Sequence, residues 1–207
     1  MSGKKLDKYR AEALVNEQGE TYNGHSHAYW AFCKVTLAQT LLHMNELDEL
    51  QALEVFNLIL TYAGLIIPTK GGKCLLKIKL KQYFDLFLCI VIIMNIFTYL
   101  EENPYKLEQE EDHVLLIQTV LDKAMKKDCL VNELFLQLIK QTTDHPEPNS
   151  RVNLRHWSLV ALACSVILPV DKLVRKYLLA HLKKCSADFV TEEGKYARFA
   201  ERVSERL

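Results

Sequence analysis

The chain has little that is long and apolar. Its longest such block, residues 83–100, runs to 18 residues and contains Asp85 and Asn95, against the about 20 largely apolar residues that cross a bilayer. It has no excess of either charge: 26 basic and 26 acidic residues cancel. No global field therefore draws in nucleic acid or a membrane, and any charged partner has to be met by a local patch. Six cysteines are present, at 33, 74, 89, 129, 164 and 185, without a C-x-x-C pair. That spacing excludes a disulfide framework and reads as reduced thiols of a cytosolic protein. The opening MSGKKLDKYRAEA lacks an apolar segment, and Ser2 follows Met1, so neither a secretory signal nor myristoylation is indicated.

Catalytic constellations are scarce as well. The only Gly-Gly, Gly71-Gly72 in KGGK, lacks the spacing that cradles phosphate at a helix N-terminus. His25 and His27 could hold one edge of a metal, but no second ligand pair follows at a usual interval. His181 and Cys185 lie one helical turn apart, and Asp144-His145 is a loop pair; neither has the third group that a catalytic set requires. No repeat period emerges either. These residues give no expectation of an enzyme, a cofactor or a metal.

What is present is helical code. The stretch 132–157, NELFLQLIKQTTDHPEPNSRVNLRHW, organises it. Val131, Leu134, Phe135 and Leu138 fall on one helical face and Gln137, Lys140 and Gln141 on the other, which predicts a helix with one buried side. His145-Pro146 and Glu147-Pro148 end that helix by about Asp144, and Asn153 is placed to cap the next. Upstream, Ala52, Phe56, Ile59, Leu60 and Ala63 mark a helix with Asp48 and Gln51 as a capping box and Gly64 as its stop. From His113, Ile117, Val120, Leu121, Ala124 and Met125 share a face. Trp157, Val160, Ala161, Cys164 and Leu168 mark a further helix. Beyond Pro169, Asp171 caps a last one, with Val174, Tyr177, Leu178 and Leu182 inward and Lys172, Arg175, Lys176, Lys183 and Lys184 outward. Helices joined by short links predict an all-α, compact multi-helix bundle.

The run Glu133, Gln137, Leu138, Lys140, Gln141, Thr142, then a polar loop, Trp157 and the helix-ending Pro169 resembles the central signature of the myosin tail homology 4 (MyTH4) domain. Trp30, Leu37, Gln39, Leu41 and Leu42 look like that family's opening, and Lys195, Tyr196, Ala197 and Phe199 resemble its end. The resemblance implies a non-catalytic, helical module of unconventional myosin, kinesin or adaptor tails, which binds cargo or a cytoskeletal filament such as microtubules in the cytoplasm. It also implies a FERM module in the full-length product. The expected organisation is a polar arm over 1–27, the MyTH4 domain over 28–200 and a truncated tail over 201–207. Leu65 stands where the family has Asp after the glycine.

An anomalous hydrophobic insert interrupts the domain at about 70–112. There a basic run precedes the apolar block and an acidic run from Glu101 to Asp112 follows it. The block is open to three readings: a membrane span, which is the alternative function as a membrane-anchored protein; a buried helix or strand pair; or a non-native insert. The last is preferred, because family-like text resumes unaltered afterwards. The candidate partner-binding residues are Lys172, Arg175, Lys176, Lys183 and Lys184, since five cations on one exposed face suit an acidic partner.

Overall fold

The computed structural model describes residues 30–66 and 107–205, with the backbone alone over 107–112. The arm over 1–27, with His25 and His27, and most of the insert, including the apolar block 83–100, lie outside the described residues. Among the described residues there are six α-helices and no strand: α1 Glu46–Ala63, α2 Leu107–Ala124, α3 Asp128–Gln141, α4 Arg151–Val166, α5 Lys172–Cys185 and α6 Glu192–Ser204. None of these helices is long and apolar enough to cross a membrane.

Each helix begins and ends where local chemistry dictates. Asn45 caps α1 by accepting the Asp48 N–H at 3.0 Å, while its amide donates to the Asp48 carboxylate at 2.8 Å. The reciprocal box therefore sits three residues earlier than the Asp48–Gln51 pairing suggests, because Asn45, and not Asp48, has the extended backbone that frees a side chain to cap. Gly64 ends α1 at φ 84, in the left-handed region that a Cβ makes costly, and a Cβ there would also meet the Arg155 guanidinium at 3.0 Å. Ser150, not Asn153, caps α4, accepting the Asn153 N–H at 3.2 Å. The second proline stands only two residues before Ser150, so the chain re-enters helix sooner than the spacing suggests. Asp171 caps α5 as expected, with its carboxylate accepting from the N–H groups of Leu173 at 2.7 Å and Val174 at 3.0 Å.

α2 starts at Leu107, upstream of where the apolar periodicity resumes at His113. Part of the acidic run therefore lies in a helix, which is consistent with the preference of carboxylates for a first turn. Asp171→Ala should lower stability by about 1 kcal/mol, the usual worth of a cap. A urea melt of the pair checks it, and an unchanged midpoint would mean that the cap contributes nothing.

The helices pack around α3, which touches α1, α2, α4 and α5; α6 closes the bundle on α4 and α5. One apolar cluster runs through all of them, from Leu41 and Phe56 by way of Ile117, Leu121, Leu134 and Phe135 to Trp157, Leu178 and Ala197. The inward faces expected of α1, α2, α4 and α5 are found inside, with Met125 half-buried at the end of its stripe. α3 departs from expectation. It is buried on both sides, and Glu133, Gln137, Lys140 and Gln141 are each at most 2% exposed. A polar stripe inside a core is tolerated only where it is hydrogen-bonded, and the partners here come from an irregular segment of chain.

Candidate functional site

Residues 30–42 have almost no regular secondary structure, so their backbone groups need partners from elsewhere. The polar stripe of α3 supplies them. Glu133 takes the N–H of Leu41 on one carboxylate oxygen and that of Leu42 on the other, both at 2.8 Å. One turn on, the Gln137 amide donates to the Ala52 carbonyl of α1 at 3.0 Å and to Glu133 at 3.2 Å. Lys140 donates to the Ala31 carbonyl. Gln141 grips Cys33 on both sides, accepting its N–H at 3.3 Å and donating to its carbonyl at 3.1 Å. Positions i, i+7 and i+8 of one helix thus line up as a clasp on an irregular strip of chain, with position i+4, Gln137, tying Glu133 to α1.

The clasp continues at the end of the helix. Thr142 Oγ1 lies 2.9 Å from His181 Nε2 of α5, and that imidazole stacks flat on Trp157 at 5.5 Å between centroids. Trp157 is 1% exposed. Pro169 follows α4, and its carbonyl accepts from Arg175 Nε at 3.2 Å. Asn153 sits fully buried in the first turn of α4, where its amide donates to the Pro148 carbonyl and to Glu193 of α6. His181 thus joins Thr142 to Trp157, while His145 packs at a tilt on Phe32, 4.0 Å between centroids.

Burial shapes the ionisation of this interior. It pushes the Glu133 carboxyl up to about 7, against the pull of the Leu41, Leu42 and Gln137 donors. It also pulls His156 down to about 3, with the facing His145 adding to the effect. Neither ring nitrogen of His156 meets a partner among the described residues.

The five cations singled out from the sequence, Lys172, Arg175, Lys176, Lys183 and Lys184, are all exposed on α5. They extend over about 18 Å of helix at 1.5 Å per residue. Val170 and Leu173 stand exposed beside Lys172. Sequence reasoning misses the strip 30–42 as the object of the signature, because backbone acceptors leave no mark on residue identity. The signal that was available is the four-residue spacing of Glu133, Gln137 and Gln141, which reads equally as a solvated face.

An all-α bundle that uses its polar signature to hold its own chain, and leaves a cationic helix face outside, defines a helical scaffold of the kind that presents a surface. Residues 117–207 match the family model described as the MyTH4 domain, and over those residues the chain is similar to that family. MyTH4 domains are non-catalytic interaction modules of myosin tails. A curated relative, the myosin-I heavy chain of Dictyostelium discoideum, is 32% identical over 95 residues, which cover 45% of this chain and 4% of that protein. Among solved structures, the myosin VII MyTH4-FERM MF1 domain of the same organism aligns over 100% of this chain and 34% of its own, with TM-score 0.64 at 19% identity. A mutant of the MF2 domain aligns over 97% of this chain and 32% of its own, with TM-score 0.63 at 13% identity. These two likenesses show the fold. The chain spans about a third of those solved structures and a small fraction of the curated relative.

Proposed function

We propose that this chain is a non-catalytic cytoskeletal interaction module of a motor or adaptor tail, which binds cargo or microtubules through the outward face of α5. In the full-length product a FERM module accompanies it, and its place is the cytoplasm, at the cytoskeleton. The observation that carries this reading is the division of labour between α3 and α5. The family-like polar residues of α3 are turned inward and serve the fold, whereas Lys172, Arg175, Lys176, Lys183 and Lys184 are exposed and form no ion pair among the described residues. A cluster of unpaired cations on one helix attracts an acidic surface at moderate salt and loses it as ionic strength rises.

Co-sedimentation with microtubules over a salt series tests the filament version. Binding at low salt that weakens with ionic strength, and that Lys172→Ala with Lys176→Ala reduces several-fold, is the expected result. The same double variant should melt within about half a kcal/mol of the parent, because exposed charges contribute little to stability. Failure to bind even at low salt removes the filament reading and leaves cargo. A shifted melt would mean that the cations are structural.

A further inference from the structure

We propose that Ser186 is a phosphorylation site for a serine/threonine kinase that reads basic residues, and that the phosphate switches off the cationic face of α5. The second half rests on the binding role proposed for that face; the first does not. Ser186 follows Lys183-Lys184-Cys185, and of all the serines and threonines in the chain it alone has cations at both the third and the second position before it. Kinases of this class select by charge, with an acidic groove that meets cations N-terminal to the acceptor hydroxyl. Both lysines are exposed at the end of α5, and the four residues after Ser186 are exposed as well.

Ser186 is the residue that closes α5. Its N–H donates to the Leu182 carbonyl at 2.8 Å, and no residue from 186 to 191 is helical. The side chain is half-buried, and its hydroxyl donates across to the Glu201 carboxylate of α6 at 2.5 Å, with the Lys183 carbonyl 3.3 Å away. Beyond it the turn is fixed on α6, where Thr191 Oγ1 donates to the Asp188 carbonyl at 2.8 Å and accepts the Gly194 N–H at 3.1 Å. Presenting Ser186 to a kinase in extended form therefore requires the last turn of α5 to fray. Helix ends open at the low end of a protein's stability range. Here fraying exposes no fully buried side chain, since Lys183 and Lys184 are already in solvent and Cys185 is half-buried.

The transfer balances with a nucleoside triphosphate. The Ser186 oxygen attacks the terminal phosphorus of ATP; the Oγ–P bond forms, the bond from that phosphorus to the bridging oxygen breaks, ADP leaves with the electron pair, and the hydroxyl proton passes to the kinase's base. Position then gives the phosphate two effects. It adds a charge of about −1.5 to −2 within a turn of Lys183 and Lys184, which leaves Lys172, Arg175 and Lys176 to meet an acidic partner. It also replaces the hydrogen bond to Glu201 with two facing anions, at the C-terminal end of the α5 dipole where negative charge is least favoured. The turn 186–190 is thereby pushed away from α6.

Incubation of the folded full chain with ATP and the catalytic subunit of cyclic-AMP-dependent protein kinase, followed by tryptic mass spectrometry, tests the site. One phosphate on Ser186 is expected, assigned by fragmentation because Thr191 lies in the same peptide. Incorporation should be lost in Ser186→Ala and reduced several-fold in Lys183→Ala with Lys184→Ala. A folded parent that takes no phosphate at Ser186, or a lysine variant that takes it equally well, overturns the site. The phosphorylated and mock-treated proteins are then compared on heparin and on microtubules. On heparin the phosphorylated protein should elute at lower salt, level with or before the Lys183→Ala, Lys184→Ala variant; elution with the mock-treated protein overturns the switch whatever the partner. On microtubules at low salt its binding should fall several-fold, and unchanged binding overturns the switch as well. If the mock-treated protein itself fails to sediment, the filament reading falls, while the heparin comparison still decides the switch.

Discussion

Trp157→Ala is expected to unfold the bundle or to leave it aggregating. The indole is 1% exposed and is the largest fully buried side chain among the described residues; one face lies flat on His181, which in turn meets Thr142 at the end of α3. Cutting a buried tryptophan to alanine costs about 3 to 5 kcal/mol, out of the roughly 5 to 15 kcal/mol that hold a domain together. The loss falls at the one place where α3, α4 and α5 meet through a stacked pair, so the neighbours cannot simply close over the space. Circular dichroism melts read it directly, and Trp157→Phe, which keeps an aromatic face for His181, should recover much of the difference. A Trp157→Ala protein that melts like its parent would show that this ring is not part of the core.

The second large effect is set by Glu133 and His156, whose burial gives opposite pH dependences. Glu133 is raised from 4.5 to about 7 on folding, so the folded state holds its proton more tightly. Its stabilising contribution is full below about 4.5 and is lost as pH rises to about 7, roughly 3 kcal/mol in all at 1.36 kcal/mol per unit. His156 is lowered from 6.5 to about 3. Its contribution is full above 6.5 and is lost as pH falls toward 3, by a comparable amount of roughly 4 to 5 kcal/mol on the same scale.

Between about pH 4.5 and 6.5 the two oppose each other, and the parent should melt with little pH dependence there. His156→Phe removes the imidazole and should leave a protein whose melting temperature rises on acidification through that window. Glu133→Gln should do the reverse. Below about pH 4.5 it should also be less stable than the parent, because one carboxyl oxygen that accepts the Leu41 or Leu42 N–H becomes a donor facing a donor, at about 1 to 3 kcal/mol for the buried group left unpaired, and that deficit should close as the pH rises to about 7 and the parent loses the Glu133 contribution. Thermal melts of the three proteins from pH 4.5 to 7.5 decide it. Parallel curves would mean that neither group titrates in the folded interior.

The buried polar stripe also explains how far the sequence could be read. Apolar periodicity placed α1 to α5 but not α6, over Glu192–Ser204, and short-range chemistry placed Gly64 and Asp171, because a left-handed turn and a side-chain cap are local events. Caps were less legible to within a turn: Asn45 and Ser150, each three residues upstream, cap where Asp48 and Asn153 were expected to, since more than one nearby residue could cap and backbone conformation chose among them. The outward face of α5 was readable because lysines and arginines avoid burial without partners.

By itself, then, the sequence determined that the chain is helical, which faces are apolar, and that one helix carries five cations to the outside. Those properties follow from spacing and from residue chemistry within a turn or two. Tertiary structure alone decided the inward turn of Glu133, Gln137, Lys140 and Gln141. Whether a polar stripe faces water or backbone depends on what lies across from it, and here that is the Ala52 carbonyl of α1 for Gln137 and, for the other three, a strip of chain about a hundred residues upstream, whose N–H and C=O groups are the same at every position.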